Sequence, residues 1–209
     1  MTNFIQLVDK TGHAFEQVIR QHTTYLQCIP TEDFGWTNYR WSSRQFRLAH
    51  VEKFQQPKFS VLHMVIFPHV YDPNPIFGFD IIASDTKATG VFFDLSPTVG
   101  PSCQLSTQTW QDPRNRPEWG DIFSDYWIAC RPSLDEAQQI CNLAVDTLHQ
   151  YLIDLSTTAS SSKIRDIIQA QNRYSLQQRK NEHTTRVILK LLGEQKGQHF
   201  IENILFPTI

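Results

Sequence analysis

Glycine is scarce in this chain, 8 of 209 residues, and none of the eight is spaced for phosphate. There is no G-x-G-x-x-G turn to cradle a dinucleotide and no G-x-x-x-x-G-K-[ST] loop. A G-x-S-x-G elbow is also missing. The four cysteines, Cys28, Cys103, Cys130 and Cys141, form no C-x-x-C pair, no zinc spacing and no evident nucleophile context. A reduced, cytosolic chain is the plain expectation. Charge of one sign is lacking too: 19 Lys and Arg against 21 Asp and Glu leave a net −2, with no basic run to hold nucleic acid. No apolar run approaches the roughly 18 residues of a membrane span. The N-terminal MTNFIQLVDKTGHAFEQVIRQH is amphipathic and carries acids, unlike a signal peptide. A redox enzyme built on such a chain takes its electrons from outside and uses its own substrate as the chromophore.

What is present is a globular composition, 40% apolar and 12% aromatic with 14 Phe, and enough length for a real core. Phe4, Leu7, Val8, Phe15, Val18 and Ile19 recur at helical spacing and predict a helix over residues 3–22. Pro30 and Gly35 break that pattern. FRLAHVEKF (46–54) is the first clear strand, followed by FSVLHMVIF (59–67), PIFGFDIIAS (75–84) and TGVFFDLSP (89–97). Short gaps holding Pro, Asp, Asn or Gly suit an antiparallel meander. The middle runs are apolar on both faces, which predicts a sheet covered on both sides by helices. Residues 98–118 read as a loop, and EWGDIFSDYWIACRP as the return of one more strand. Ser133 and Glu136 form a capping box that opens a long helix. After the short linker TTASSS (157–162), further helices are expected at 163–179, at 183–192 with Gly193 as C-cap, and at 198–205. The order of elements is that of a single α+β domain.

Side chains of a strand alternate faces, so His50 and Glu52 share one. His63 lies in the next run and Asp80 in the one after, and a meander gathers all four on one sheet face. Burial raises a carboxyl pKa and lowers that of an imidazole, and a carboxyl beside a histidine shares a proton with it near neutral pH. That arrangement suits general acid work. Two other readings stay open on spacing alone. Any one of these residues can be a satisfied core group, the reading adopted for Asp94 in VFFDLSP. Two histidines and a carboxylate can also hold non-haem iron, although no H-x-H, H-E-x-x-H or H-x-D spacing occurs.

Several ordered motifs then carry a resemblance. LHMVIFP, PIFGFDIIA, the run ending in DLSPT, RPEWGDIFSDYW and QQRKNEHTTRVILKLLG with the terminal ILF resemble the ferredoxin-dependent bilin reductases, from about residue 46 to the C-terminus. The resemblance implies a three-layer α/β/α sandwich with a central antiparallel sheet. It implies biliverdin IXα bound between that sheet and the C-terminal helices, no metal or organic cofactor, and electrons from reduced ferredoxin. His63 resembles the family's histidine at the reacting centre and Asp80 its central proton donor. Glu52 resembles the glutamate that protonates the D-ring vinyl group, with His50 as its hydrogen-bond partner. Arg114 resembles a propionate-binding arginine, and Asn181 and His183 of KNEHTTR are further substrate contacts. Lys53, Lys58, Arg114 and Arg116 are candidates for steering an acidic ferredoxin. Glu52 implies phycocyanobilin as product. The short connection between DLSPT and RPEWG resembles compact viral members, some of which give phycoerythrobilin by reducing the C15–C16 methine bridge. A monomer in the cytoplasm of a cyanobacterial or cyanophage-infected cell is the matching expectation. Rival classes are a non-haem metal enzyme on the same residues and a tetrapyrrole carrier without turnover.

Overall fold

A computed structural model describes residues 3–100 and 102–209. The chain opens with α1 (Phe4–His22), capped reciprocally by Asn3 and Gln6. Seven strands follow: β1 (Gln27–Cys28), β2 (Thr37–Ser42), β3 (Phe46–Gln56), β4 (Phe59–Pro68), β5 (Ile76–Ser84), β6 (Ala88–Ser96) and β7 (Ile128–Cys130). They form one antiparallel sheet in sequence order. The helices α2 (Leu134–Thr157), α3 (Ile164–Gln178), α4 (Glu182–Leu192) and α5 (Glu194–His199) then close the chain, with a π-helical turn at Phe200–Leu205.

The four strands expected from sequence lie where they were expected, and so does the Ser133–Glu136 capping box of α2. Three features differ. β1 and β2 precede the first legible strand; β2, TNYRWS, sets Thr37, Tyr39 and Trp41 on one face and Asn38, Arg40 and Ser42 on the other, with no aliphatic residue to mark it as a strand. The returning strand keeps only Ile128–Cys130, because Gly120–Ile122 turns as a 3-10 helix. The last helix starts earlier than residue 198 and changes pitch at Phe200. Gly193, at φ +77° and ψ 169°, ends α4 in an extended positive-φ conformation that favours glycine, and α5 starts directly from it.

The strand alternation sorts side chains into two layers. Met64, Phe77, Phe79, Phe93 and their neighbours face α1 and α2, meeting Phe15, Ile140, Leu148 and Tyr151 in one continuous core. The opposite face carries His50, Glu52, His63, Asp80 and Phe92, and is covered by the C-terminal layer. α3 brings Tyr174 onto Val65, Phe67 and Ile76. The π-helical turn and α4 pack Phe200, Ile204, Phe206 and Ile188 with Phe34 and Trp36. The result is the expected three-layer α/β/α arrangement. No helix among the described residues is long and apolar enough to cross a membrane.

Candidate active site

The β-ladder register sets the site. Asn38 pairs with Glu52, Glu52 with His63, His63 with Asp80, and Asp80 with Phe92, so one row of side chains crosses five strands. Directly opposed residues share a face, with Cβ atoms about 4.5–5.5 Å apart. Within this row His63 Nδ1–H donates to Asp80 Oδ1 at 2.8 Å. The next row places Arg40 opposite His50. The His50 ring meets the His63 ring edge-on at 5.5 Å, and Phe206 meets His63 from the helical layer at 5.8 Å. Arg179 holds that last contact in place by donating to the carbonyls of Glu202 and Phe206.

Burial is uneven along the row. Glu52 and His63 are each 6% exposed and His50 is fully buried, whereas the Asp80 side chain is 36% exposed. Asp80 therefore sits at the border between a closed polar cluster and a half-buried apolar strip formed by Val61, Ile82 and Phe92. Clefts of roughly 410 and 450 Å³ open beside Asn3 and Ser133 and along α3 near Asn172, away from the cluster.

The electrostatics follow from this border. Burial pushes the Glu52 carboxyl up to about 7; the Asp80 charge adds to the rise, and His63 with a loose N–H contact from Trp36 opposes it. Burial alone would depress His63, but the charge and hydrogen bond of Asp80, with Glu52 behind them, leave its pKa raised. His50 goes the other way. Burial, then the charges of His63 and Arg40, hold it well below its usual value, so it is neutral at pH 7. Two groups that can hold an exchangeable proton near neutrality thus stand side by side, one of them bonded to a partly solvated carboxylate.

The remaining sequence-derived residues separate. Arg114 is half-buried at the rim, over the Phe92 ring at 5.6 Å, with Nη1 donating to Thr89 O; it is the cation beside the apolar strip. His50 does not bond Glu52 as the resemblance implies: both ring nitrogens lack a partner, and the ring is turned onto His63 instead. Asn181 is occupied as the N-cap of α4, accepting from the His183 and Thr184 amides, and His183 is exposed in the first turn. One docking candidate is corrected. Lys53 points to the α1 side and pairs with Asp9 at 2.6 Å, as an odd-numbered β3 residue must. Arg116 is exposed, and its guanidinium is fixed, without being neutralised, by the carbonyls of Gly120, Phe123 and Ser124. Lys58 is exposed in the β3–β4 turn. Asp94 has the structural role expected of it, accepting from Ser96, from the Ser124 hydroxyl and from the Ser124 amide. Among the described residues, no group of three or more His, Cys, Asp or Glu is arranged to hold a metal ion.

Sequence reading missed Trp36, Asn38, Tyr174 and Phe206. Only Asn38 left a signal, as the residue of TNYRW that shares a face with Arg40. The other three reach the site through packing between distant segments.

The family model for ferredoxin-dependent bilin reductases matches residues 18–207. This chain belongs to that family. Bilin reductases named phycocyanobilin:ferredoxin oxidoreductase are similar to it in Trichodesmium erythraeum (strain IMS101), 30% identical over 82% of this chain and 76% of that one, and in Prochlorococcus marinus, 31% identical over 84% and 76%. The solved structure of PcyX superposes with a TM-score of 0.71 at 28% identity, covering 96% of this chain and 98% of that one. Phytochromobilin synthase from tomato, solved in complex with biliverdin, shares the fold with a TM-score of 0.72 at 16% identity, over 95% and 82%. The bilin reductase is accordingly an oxidoreductase with the α+β fold of its relatives.

Proposed function

We propose that this bilin reductase reduces biliverdin IXα with single electrons from reduced ferredoxin, and that phycocyanobilin is the product. The observation that carries the reading is the hydrogen-bonded His63–Asp80 pair at the edge of an apolar strip, with Glu52 beside it poised near neutrality. A flat tetrapyrrole laid on Val61, Ile82 and Phe92 meets apolar side chains, while Arg114 at the rim is placed for a propionate. Asp80 and His63 hand the first proton to the bilin, which makes the first electron easier to add. Each two-electron reduction then consumes two electrons, leaving two ferredoxins oxidised, and two protons. Proton delivery follows each electron because a buried anionic radical is costly. Asp80 is reprotonated from water through its exposed side. Glu52 delivers the proton for the D-ring vinyl group. The reading needs no resident cofactor, since the substrate itself accepts the electrons.

An anaerobic assay with biliverdin, ferredoxin and a ferredoxin-reducing system, with product chromatography, tests it. Asp80→Asn should lower the rate at least a hundredfold, the low end for loss of a positioned acid; full turnover in that variant would overturn the assignment. Binding without any spectral change on adding reduced ferredoxin would mark a carrier instead. A second reading, phycoerythrobilin as product, is favoured by the short DLSPT–RPEWG connection that leads from β6 (ending at Ser96) towards β7 (starting at Ile128), the feature that resembles compact members. The absorbance of the product decides between them.

A further inference from the structure

Eleven buried side-chain nitrogen and oxygen atoms lack a hydrogen-bond partner among the described residues, and seven of them lie together on this face: Trp36 Nε1, both amide atoms of Asn38, Arg40 Nε, both ring nitrogens of His50, and His63 Nε2. Buried polar groups are nearly always bonded, so such a concentration marks groups held ready for a partner. Asn38 stands out because it is neutral, 8% exposed, and one ladder step from Glu52 on the same face.

We propose that Asn38 is a positioning residue for Glu52: its side-chain amide, unpartnered in this structure and one ladder step away, closes on the Glu52 carboxyl by side-chain rotation and holds it towards the substrate. The proposal rests on the proton-donor reading of Glu52 given above. An amide suits a group that must both give up and regain a proton. Nδ2–H donates to the carboxylate, and Oδ1 accepts from the protonated acid. A cation at this position would serve only the ionised form, and an apolar residue neither. The other groups facing Glu52 do not fill the role. His63 is engaged by Asp80 through Nδ1, and its free Nε2 changes from donor to acceptor only when His63 itself loses a proton; His50 is neutral and one row away. Arg40 faces His50. Trp36 can only donate. From the helical layer come Phe200 and Phe206, and the Arg179 guanidinium there is taken up by main-chain carbonyls.

The test is an infrared titration of the Glu52 carboxyl in substrate-free protein, assigned by its loss in Glu52→Gln. In Asn38→Leu the midpoint should rise by about one pH unit, because the charge-assisted bond lost is worth more than the neutral one. Asn38→Ser, which keeps a hydroxyl, should fall between wild type and the leucine variant, and stands in for it if that variant does not fold. The high-pH limb of the vinyl reduction should move with the infrared midpoint. Equal midpoints in wild type and both variants would overturn the proposal. A shifted midpoint in a protein that leaves biliverdin untouched would overturn the substrate while establishing the Asn38–Glu52 contact.

Discussion

Phe77, Phe79 and Ile81 alternate along β5 with Gly78, Asp80 and Ile82, and the two sets live in different surroundings. The first set is fully buried against α1 and α2 in an unbroken apolar layer. The second is half-buried and borders a cluster of histidines and carboxyls. One face gains free energy from every residue it buries, at about 25 cal/mol per Å² of apolar surface. The opposite face carries groups whose burial is unfavourable, among them the Glu52 carboxyl and the unpartnered His50. Because β-strands alternate, the same backbone segment can stabilise the fold on one side and hold strained proton chemistry on the other.

The sharpest way to separate the two faces is a pair of neighbouring substitutions. Phe79→Ala should destabilise the protein by about 3–5 kcal/mol in denaturant unfolding, the cost of emptying a fully buried aromatic site between Phe15 and Phe93. Asp80→Asn, whose side chain is partly solvated, should leave stability nearly unchanged while activity collapses. Similar stability losses in the two variants would refute the division of labour.

Glu52 gives the next test, through pH. Its carboxyl is held near 7 against an ordinary value of 4.5, so between those values the folded protein binds a proton that the unfolded chain has released. Stability must therefore fall as pH rises through that window and level off above it. At roughly 1.4 kcal/mol per pH unit the loss approaches about 3 kcal/mol at pH 8. Glu52→Gln should remove the Glu52 share of the fall and leave only the smaller loss in the same direction that the raised His63 gives above 6.5, unfolding at a higher temperature than wild type at pH 8 and at a similar one at pH 4. A wild-type melting temperature flat across that range would show that the cluster is not under this strain.

The two faces were unequally legible in the sequence. The α1/α2 face follows from local patterns: the helical spacing of Phe4 through Ile19, the apolar runs, the capping box at Ser133. The cluster was legible as far as strand alternation reaches, since His50, Glu52, His63 and Asp80 needed only a meander with short turns to share a face. The sequence could not supply register, and register is what opposes Glu52 to His63 and His63 to Asp80. It also could not show which cations face the site; one step of alternation puts Lys53 on the wrong side. Phe206 and Tyr174 arrive from more than 90 residues away along the chain, through helix packing that no local pattern encodes.

Gly78 offers the finest test of how closely the helical layer sits on the chemical face. A Cβ built there would stand 2.9 Å from Tyr174 Oη, inside contact distance, and Gly78 has no positive φ to require glycine on backbone grounds. The absent side chain is thus explained by packing: it lets the tyrosine rest on the sheet with Asp80 and Asp94 close enough for their charges, after burial, to push the phenol further up. Gly78→Ala should cost about 1–3 kcal/mol as Tyr174 is displaced against Phe67. Adding Tyr174→Phe removes the clashing oxygen and should return most of that loss, giving a coupling free energy of opposite sign to the single-mutant penalty. If the double variant is no more stable than Gly78→Ala alone, the contact is not what selects glycine, and α3 sits farther from the sheet than the geometry shows.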